Sequence, residues 1–233
     1  MGVLMRFRSI AACLVWLLLV VPAGPAMGSP RGQASAAAPS VQQRKTSTPY
    51  SGDLSIFDYP DREQKLHIDK VMDALGITAG KVVADIGAGS GWFTVRAAKR
   101  VTESGRVYAV EINPEAIRHI EERAEKENLK NVKTVLGKED SPQLPAASVD
   151  AVLMLKTYHE IAKPVELLRN LRAALRPGAR VGIIDRDGNG ENHGVQKKAV
   201  LQEAEQAGYR LLEEHDDWVK DDKMDYFLVL VAK

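Results

Sequence analysis

The chain has 233 residues, of which 45% are hydrophobic and 27% charged, and its formal net charge is +1. That length and mix suit one globular domain with a tail, and the balanced charge gives no electrostatic reason to expect nucleic-acid binding. The one cysteine, Cys13, sits in an N-terminal apolar run, so the rest of the chain carries no disulfide framework, zinc–thiolate site or cysteine nucleophile.

Residues 1–28 begin with Arg6 and Arg8, continue through an apolar run from Ile10 to Val21, and end in small residues that include Ala26 and Gly28. This is the pattern of a secretory signal, which would make the protein periplasmic or secreted. An uncleaved membrane anchor is the alternative, although the run is shorter than the roughly 20 apolar residues that span a bilayer. Residues 29–52, rich in Ala, Ser, Gln and Pro, read as a disordered linker. The domain is expected over 53–233.

Within the domain, Arg62 to Leu75 has helical apolar spacing, with Asp61 as N-cap and Gly76 as stop. Lys81 to Ile86 is a buried strand, followed by a glycine turn and a helix from Trp92 to Arg100. Arg106 to Ile112 is a second strand. Asn113-Pro114 then caps a helix that runs to Asn128. Val132 to Leu136 is the third strand, and Gly137 to Ser148 is a loop with Pro142 and Pro145. Asp150 to Leu155 is an apolar, central fourth strand. A helix from Pro164 to Leu175 leads to the fifth strand, Arg180 to Asp185, and a helix from Gly194 to Ala207 follows. The final strands, Tyr209 to Glu214 and Met224 to Ala232, are joined too closely for a crossover helix and should pair antiparallel. The expected fold is α/β, a Rossmann-like three-layer sandwich with a seven-stranded, mostly parallel sheet and a C-terminal antiparallel pair.

The turn after the first strand reads Asp85-Ile86-Gly87-Ala88-Gly89-Ser90-Gly91-Trp92. Glycines at a strand-to-helix turn let the backbone lie against a ligand, and the helix start offers free N–H groups. A dinucleotide turn would be G-x-G-x-x-G, whose third small residue packs helix on strand. Trp92 stands where that residue belongs, which counts against a nicotinamide oxidoreductase without removing it.

That turn, with Tyr108-Ala109-Val110-Glu111, Leu144-Pro145, Ser148-Val149-Asp150 and Leu175-Arg176-Pro177-Gly178, resembles the class I S-adenosylmethionine-dependent methyltransferases from about Asp58 onward. Gly178-Ala179 departs from the family's usual double glycine. The resemblance implies S-adenosylmethionine as cofactor, with Gly87, Ala88, Gly89 and Gly91 against its methionine and ribose portions. By the same resemblance Asp85 would fix the amino-acid end, Glu111 would accept the ribose hydroxyls, and Asp140 would accept from the adenine amino group. Lys138 stands where many relatives have an acid, so Glu139 competes with Asp140 for that last role.

Candidate catalytic residues are Tyr158 and His159, which follow the fourth strand, and Asp185, which ends the fifth, because open parallel sheets bind ligands at these strand ends. His159 is a candidate base toward a hydroxyl or amine, or else a structural hydrogen bonder at a helix start. Tyr59 and Arg62 lie in a segment that could fold over the cofactor. His159, His193 and nearby acids raise the question of a metal, but no ligand pair falls at i, i+3 or i, i+4, and none is expected. The acceptor is expected to be a small molecule of unread identity. Besides the oxidoreductase, a non-catalytic exported module that has kept the fold stays open.

Overall fold

The computed structural model describes Arg44, Thr46, Tyr50, residues 52–189 and residues 192–233. The signal-like segment 1–28 and most of the stretch read as linker lie outside the described residues. Among the described residues no helix is long and apolar enough to cross a membrane.

Seven strands, β1 (Val82–Ile86), β2 (Arg106–Glu111), β3 (Val132–Leu136), β4 (Val149–Leu155), β5 (Leu175–Asp185), β6 (Tyr209–Glu214) and β7 (Tyr226–Ala232), form one sheet. Its order is β3-β2-β1-β4-β5-β7-β6. The first five strands are parallel, and β7 pairs antiparallel with both β5 and β6. The sheet therefore has the expected arrangement.

Strand alternation sorts the core into two faces. Ala84, Val152, Met154, Val181 and Ile183 pack with Leu168 and Leu171 of a helix over Pro164–Ala174 and with Val200 and Ala204 of another over Lys197–Gln206. Val83, Val107, Leu153 and Phe227 pack on the other side against Trp92, Phe93 and Ala97 of the helix Trp92–Val101 and against Val71 and Met72. A helix over Pro114–Lys126 starts as expected: the Asn113 side chain accepts from the Glu115 N–H, and proline holds the first position.

Most boundaries fall within two residues of expectation, and the first helix, β5, the helix expected from Gly194 and β7 depart for visible reasons. The first helix is two pieces, α1 (Arg62–Lys65) and α2 (Ile68–Ala74), because His67 adopts φ 44° and its Nδ1 lies 2.8 Å from the Trp218 carbonyl. Asp61 makes no side-chain cap. β5 starts at Leu175, since Leu175 pairs with Val149 before the register shifts and resumes at Ala151↔Arg180. The helix expected from Gly194 begins at Lys197, because Val195 N–H first bonds back to the Arg186 carbonyl and Lys197 N–H to Asp187 Oδ1. β7 begins at Tyr226 rather than Met224, whose N–H turns back to the Val219 carbonyl. The remaining helices are numbered in order: α3 (Trp92–Val101), α4 (Pro114–Lys126), α5 (Pro164–Ala174) and α6 (Lys197–Gln206).

The compact unit that holds the sheet runs from Gln42 to Lys233. Arg44, in the stretch read as linker, bonds to the carbonyl of Ile161 at 3.0 Å and forms an ion pair with Glu203 at 2.9 Å.

Candidate active site

A cavity of about 560 Å³ opens at the carboxyl ends of β1, β2, β3 and β4. Its volume falls in the range of small-molecule sites. Its floor is the glycine turn. Gly87, Gly89 and Gly91 take φ of 71°, 54° and 73°, so the alternate spacing marks three left-handed residues in a row of five. A Cβ at Gly87 would sit 2.2 Å from Thr157 Cγ2, whereas one at Gly89 would meet nothing nearer than Phe57 at 3.9 Å. Gly87 is thus required by packing between the β1 and β4 turns. Gly89 keeps the backbone bare where it lines the cavity.

Asp85 lines the cavity, is almost wholly buried, and accepts from Thr94 Oγ1 at 2.6 Å. Burial pushes its carboxyl up to about 7, against that hydrogen bond. Glu111, at the tip of β2, accepts at Oε1 from the Gly89 N–H and at Oε2 from the Ile112 N–H, both at 2.9 Å. Oε2 also receives the Asn113 N–H at the long distance of 3.5 Å, so this carboxylate, fixed by backbone donors, keeps a lone pair on Oε1 and only a loosely engaged one on Oε2 for hydroxyl donors. Ser90 lines the same cavity with a buried Oγ that has no hydrogen-bond partner among the described residues. An acceptor pair at the strand tip, bare glycine backbone and an orphaned hydroxyl fit the ribose and amino-acid portions of S-adenosylmethionine.

In the loop after β3, the cavity wall is Gly137, Lys138 and Glu139. Asp140 is not among the lining residues, and its carbonyl accepts from Asn170 at 2.7 Å. Asp140, expected to accept from the adenine amino group, thus does not line the cavity, while its competitor Glu139 does.

The three catalytic candidates are also placed away from the cavity. Tyr158 is fully buried in the core on the α5/α6 face, and its hydroxyl donates to Glu203 Oε2 at 2.9 Å. Burial next to that carboxylate raises the phenol well above its ordinary range, so it is no acid or base near neutrality. His159 is buried and held by Asp185: Nδ1 lies 2.8 Å from Oδ1, and the His159 N–H donates to Oδ2 at 3.0 Å. Asp185 has the strand parity of Val181 and Ile183, which turns it to the α5/α6 face, whereas Asp85 has the parity of Val83 on the other. None of the three lines the cavity.

The residues that do line it from β4 onward are Leu155, Lys156, Thr157 and Glu160. Lys156 has φ 56°, and its Nζ pairs with Asp222 Oδ2 at 2.7 Å and donates to Tyr59 Oη at 3.1 Å. Tyr59 Oη in turn donates to Asp222 Oδ1. Burial lowers the Lys156 ammonium and raises the Asp222 carboxyl. Burial likewise pushes Glu160 up to about 7. Arg62 lines the cavity, with its guanidinium 4.3 Å from the Trp92 ring centre; Arg96 covers the same ring at 4.0 Å. Trp92 thus serves as an aromatic platform that seats Arg62 beside the glycine turn. Tyr50, Leu54 and Phe57 complete the lining from the segment before α1.

Fold and cavity together define a nucleoside-cofactor domain whose donor site lies across the tips of β1 and β2. A family model described as a methyltransferase domain matches residues 83–178. A solved S-adenosylmethionine-dependent methyltransferase from Aquifex aeolicus is 26% identical with a TM-score of 0.70, covering 78% of this chain and all of that one. The chain is 37% identical to a protein-L-isoaspartate O-methyltransferase from Aeropyrum pernix over 50% of its own length and 43% of that protein. It is 32% identical to an uncharacterized 37.1 kDa transposon protein of Streptomyces fradiae, over 48% of its own length and 32% of that protein. The chain therefore spans less than half the length of these curated relatives. Residues 83–178 thus match a methyltransferase domain, and the chain is similar to S-adenosylmethionine-dependent methyltransferases, whose donor suits the cavity described above.

Proposed function

We propose that this domain transfers a methyl group from S-adenosylmethionine to a small-molecule acceptor. The cavity carries this reading. It is walled on the donor side by Asp85, Gly89 and Glu111 and covered by Tyr50, Leu54 and Phe57, which leaves room for a cofactor and a compact partner. When bound, the cofactor supplies an activated methyl on a sulfonium. The chain's task is to align that donor and keep the space dry.

In this reading Glu111 holds the ribose hydroxyls and Asp85 the methionine ammonium. The Gly87–Gly91 backbone takes the rest of the donor chain, and Glu139 the adenine amino group. Arg62 and Lys156 set the positive side of the cavity, which favours an acceptor with anionic or phenolic character.

Two measurements test it. Glu111→Ala removes the paired acceptor while leaving a tip residue that needs no burial, so S-adenosylmethionine affinity should fall about ten- to a hundredfold in calorimetry with the fold intact. Screening compact phenols and carboxylates for S-adenosylhomocysteine release should then find turnover that Glu111→Ala loses. Unchanged cofactor affinity in the variant overturns the ribose assignment. Turnover confined to protein or nucleic-acid acceptors overturns the small-molecule one.

A further inference from the structure

His159, Glu160 and His193 stand together beside the cavity, although His193 lies 34 positions beyond His159 in the sequence, a spacing that no local motif exposes. One ligand atom from each lies within 4.8 Å of the other two. We propose that these three side chains bind a divalent metal ion of the zinc type, with Asp185 as the residue that orients His159.

Asp185 sets the chemistry of the site. Its carboxylate is fully buried, and both oxygens lie within 3.0 Å of His159 Nδ1. It also accepts from the backbone N–H groups of His159 and Arg186. A carboxylate so supplied with donors can only accept, so Nδ1 carries a hydrogen toward Asp185 and Nε2 is the nitrogen left to face a metal. That Nε2 lies 3.8 Å from Glu160 Oε1, so two potential ligand atoms already converge. The His193 ring meets the His159 ring edge-on with centroids 5.6 Å apart, bringing a second imidazole to the same point.

The dimensions also fit. Ligand atoms on a tetrahedral ion with bonds of about 2.0–2.1 Å stand roughly 3.3 Å apart, so side-chain adjustments of about an ångström close the set. A histidine whose far nitrogen is held by a carboxylate is the usual outer arrangement of a metal ligand. Two imidazoles and one carboxylate select zinc-like ions over magnesium, which takes oxygen. Three protein ligands leave a coordination position open, as in catalytic sites. Glu160 lines the cavity, so the ion sits at its wall; if the methyl-transfer reading above holds, an acceptor oxygen would complete the shell.

Metal binding is read without turnover, so its failure is separable from failure of methyl transfer. The full chain, stripped with chelator, is titrated with Zn²⁺ and separately with Mg²⁺ by calorimetry. One equivalent of Zn²⁺ should bind, and Mg²⁺ should bind at least a hundredfold more weakly. His193→Ala changes an exposed residue and should weaken Zn²⁺ at least tenfold. Asp185→Asn should weaken it about ten- to a hundredfold by misorienting His159. His119→Ala, on α4, should leave it unchanged. Zn²⁺ binding that is equal in the parent chain and in His193→Ala, or equal for Zn²⁺ and Mg²⁺, overturns the site. So does an equal loss in His119→Ala.

Discussion

Asp85→Asn should make the chain more stable at alkaline pH and worse at holding its cofactor. The Asp85 carboxyl is 2% exposed, is held by one hydrogen bond from Thr94, and has its pKa raised from 3.8 to about 7 by burial. Between those two values the folded chain keeps a proton that the unfolded chain has lost. This group's contribution is therefore complete below pH 4, shrinks as pH rises, and is exhausted above about pH 7. A shift of about 3 units corresponds to about 4 kcal/mol across the window, and relaxation around the charge leaves about 2 kcal/mol as a cautious expectation. Asparagine keeps the volume and an acceptor for Thr94 but never ionises. Urea unfolding of the cofactor-free chain at pH 5 and pH 8 should therefore show a parent-minus-variant difference that moves by about 2 kcal/mol, and by no more than about 3, in the variant's favour. Glu160 and Asp222 are also raised toward 7, but they remain in both proteins and cancel in that difference. The same variant should lose at least tenfold in S-adenosylmethionine affinity, since a carboxylate held at a stability cost is a mark of a binding group. Identical pH slopes in parent and variant would refute the argument, because they would show that the buried carboxyl does not titrate with folding.

Gly87→Ala should cost about 1–3 kcal/mol of stability and most of the cofactor affinity. The added Cβ would meet Thr157 Cγ2 at 2.2 Å, and the backbone there has φ 71°. Thermal unfolding and calorimetry read the two effects, and a variant as stable as the parent would contradict the packing described. Tyr158→Phe should cost about 1 kcal/mol through the lost bond to Glu203 while leaving cofactor affinity and turnover within twofold. A tenfold fall in kcat with unchanged stability would return Tyr158 to the chemistry.

The sheet was legible because its signals are local. Short apolar strands alternate with capped helices, and the link between the last two strands is too short for a crossover. The break at His67 was not, since it depends on the Trp218 carbonyl supplied from the far end of the chain. The donor half of the site shows the same contrast. The glycine spacing maps directly onto three left-handed residues, and Glu111 sits at a strand tip that the pattern defines. In the other half, strand end and cavity wall do not coincide. Parity sends Asp185 to the far face, and the turn after β4 buries Tyr158 while leaving Lys156 and Glu160 on the wall. Arg62 owes its position to the Trp92 ring, a contact that residue spacing cannot carry. The His159–His193 pairing likewise exists only once β4 and β5 lie side by side.

Arg44 bears on how the segment that covers the cavity is anchored. Its guanidinium is fastened to the Tyr158 and Ile161 carbonyls and to Glu203, while Thr46 and Tyr50, a few residues on, form part of the cavity wall. Mechanically this is a staple: acceptors from the β4 turn and α6 converge on one guanidinium, so the short span that carries Thr46 and Tyr50 to the cavity starts from a fixed point.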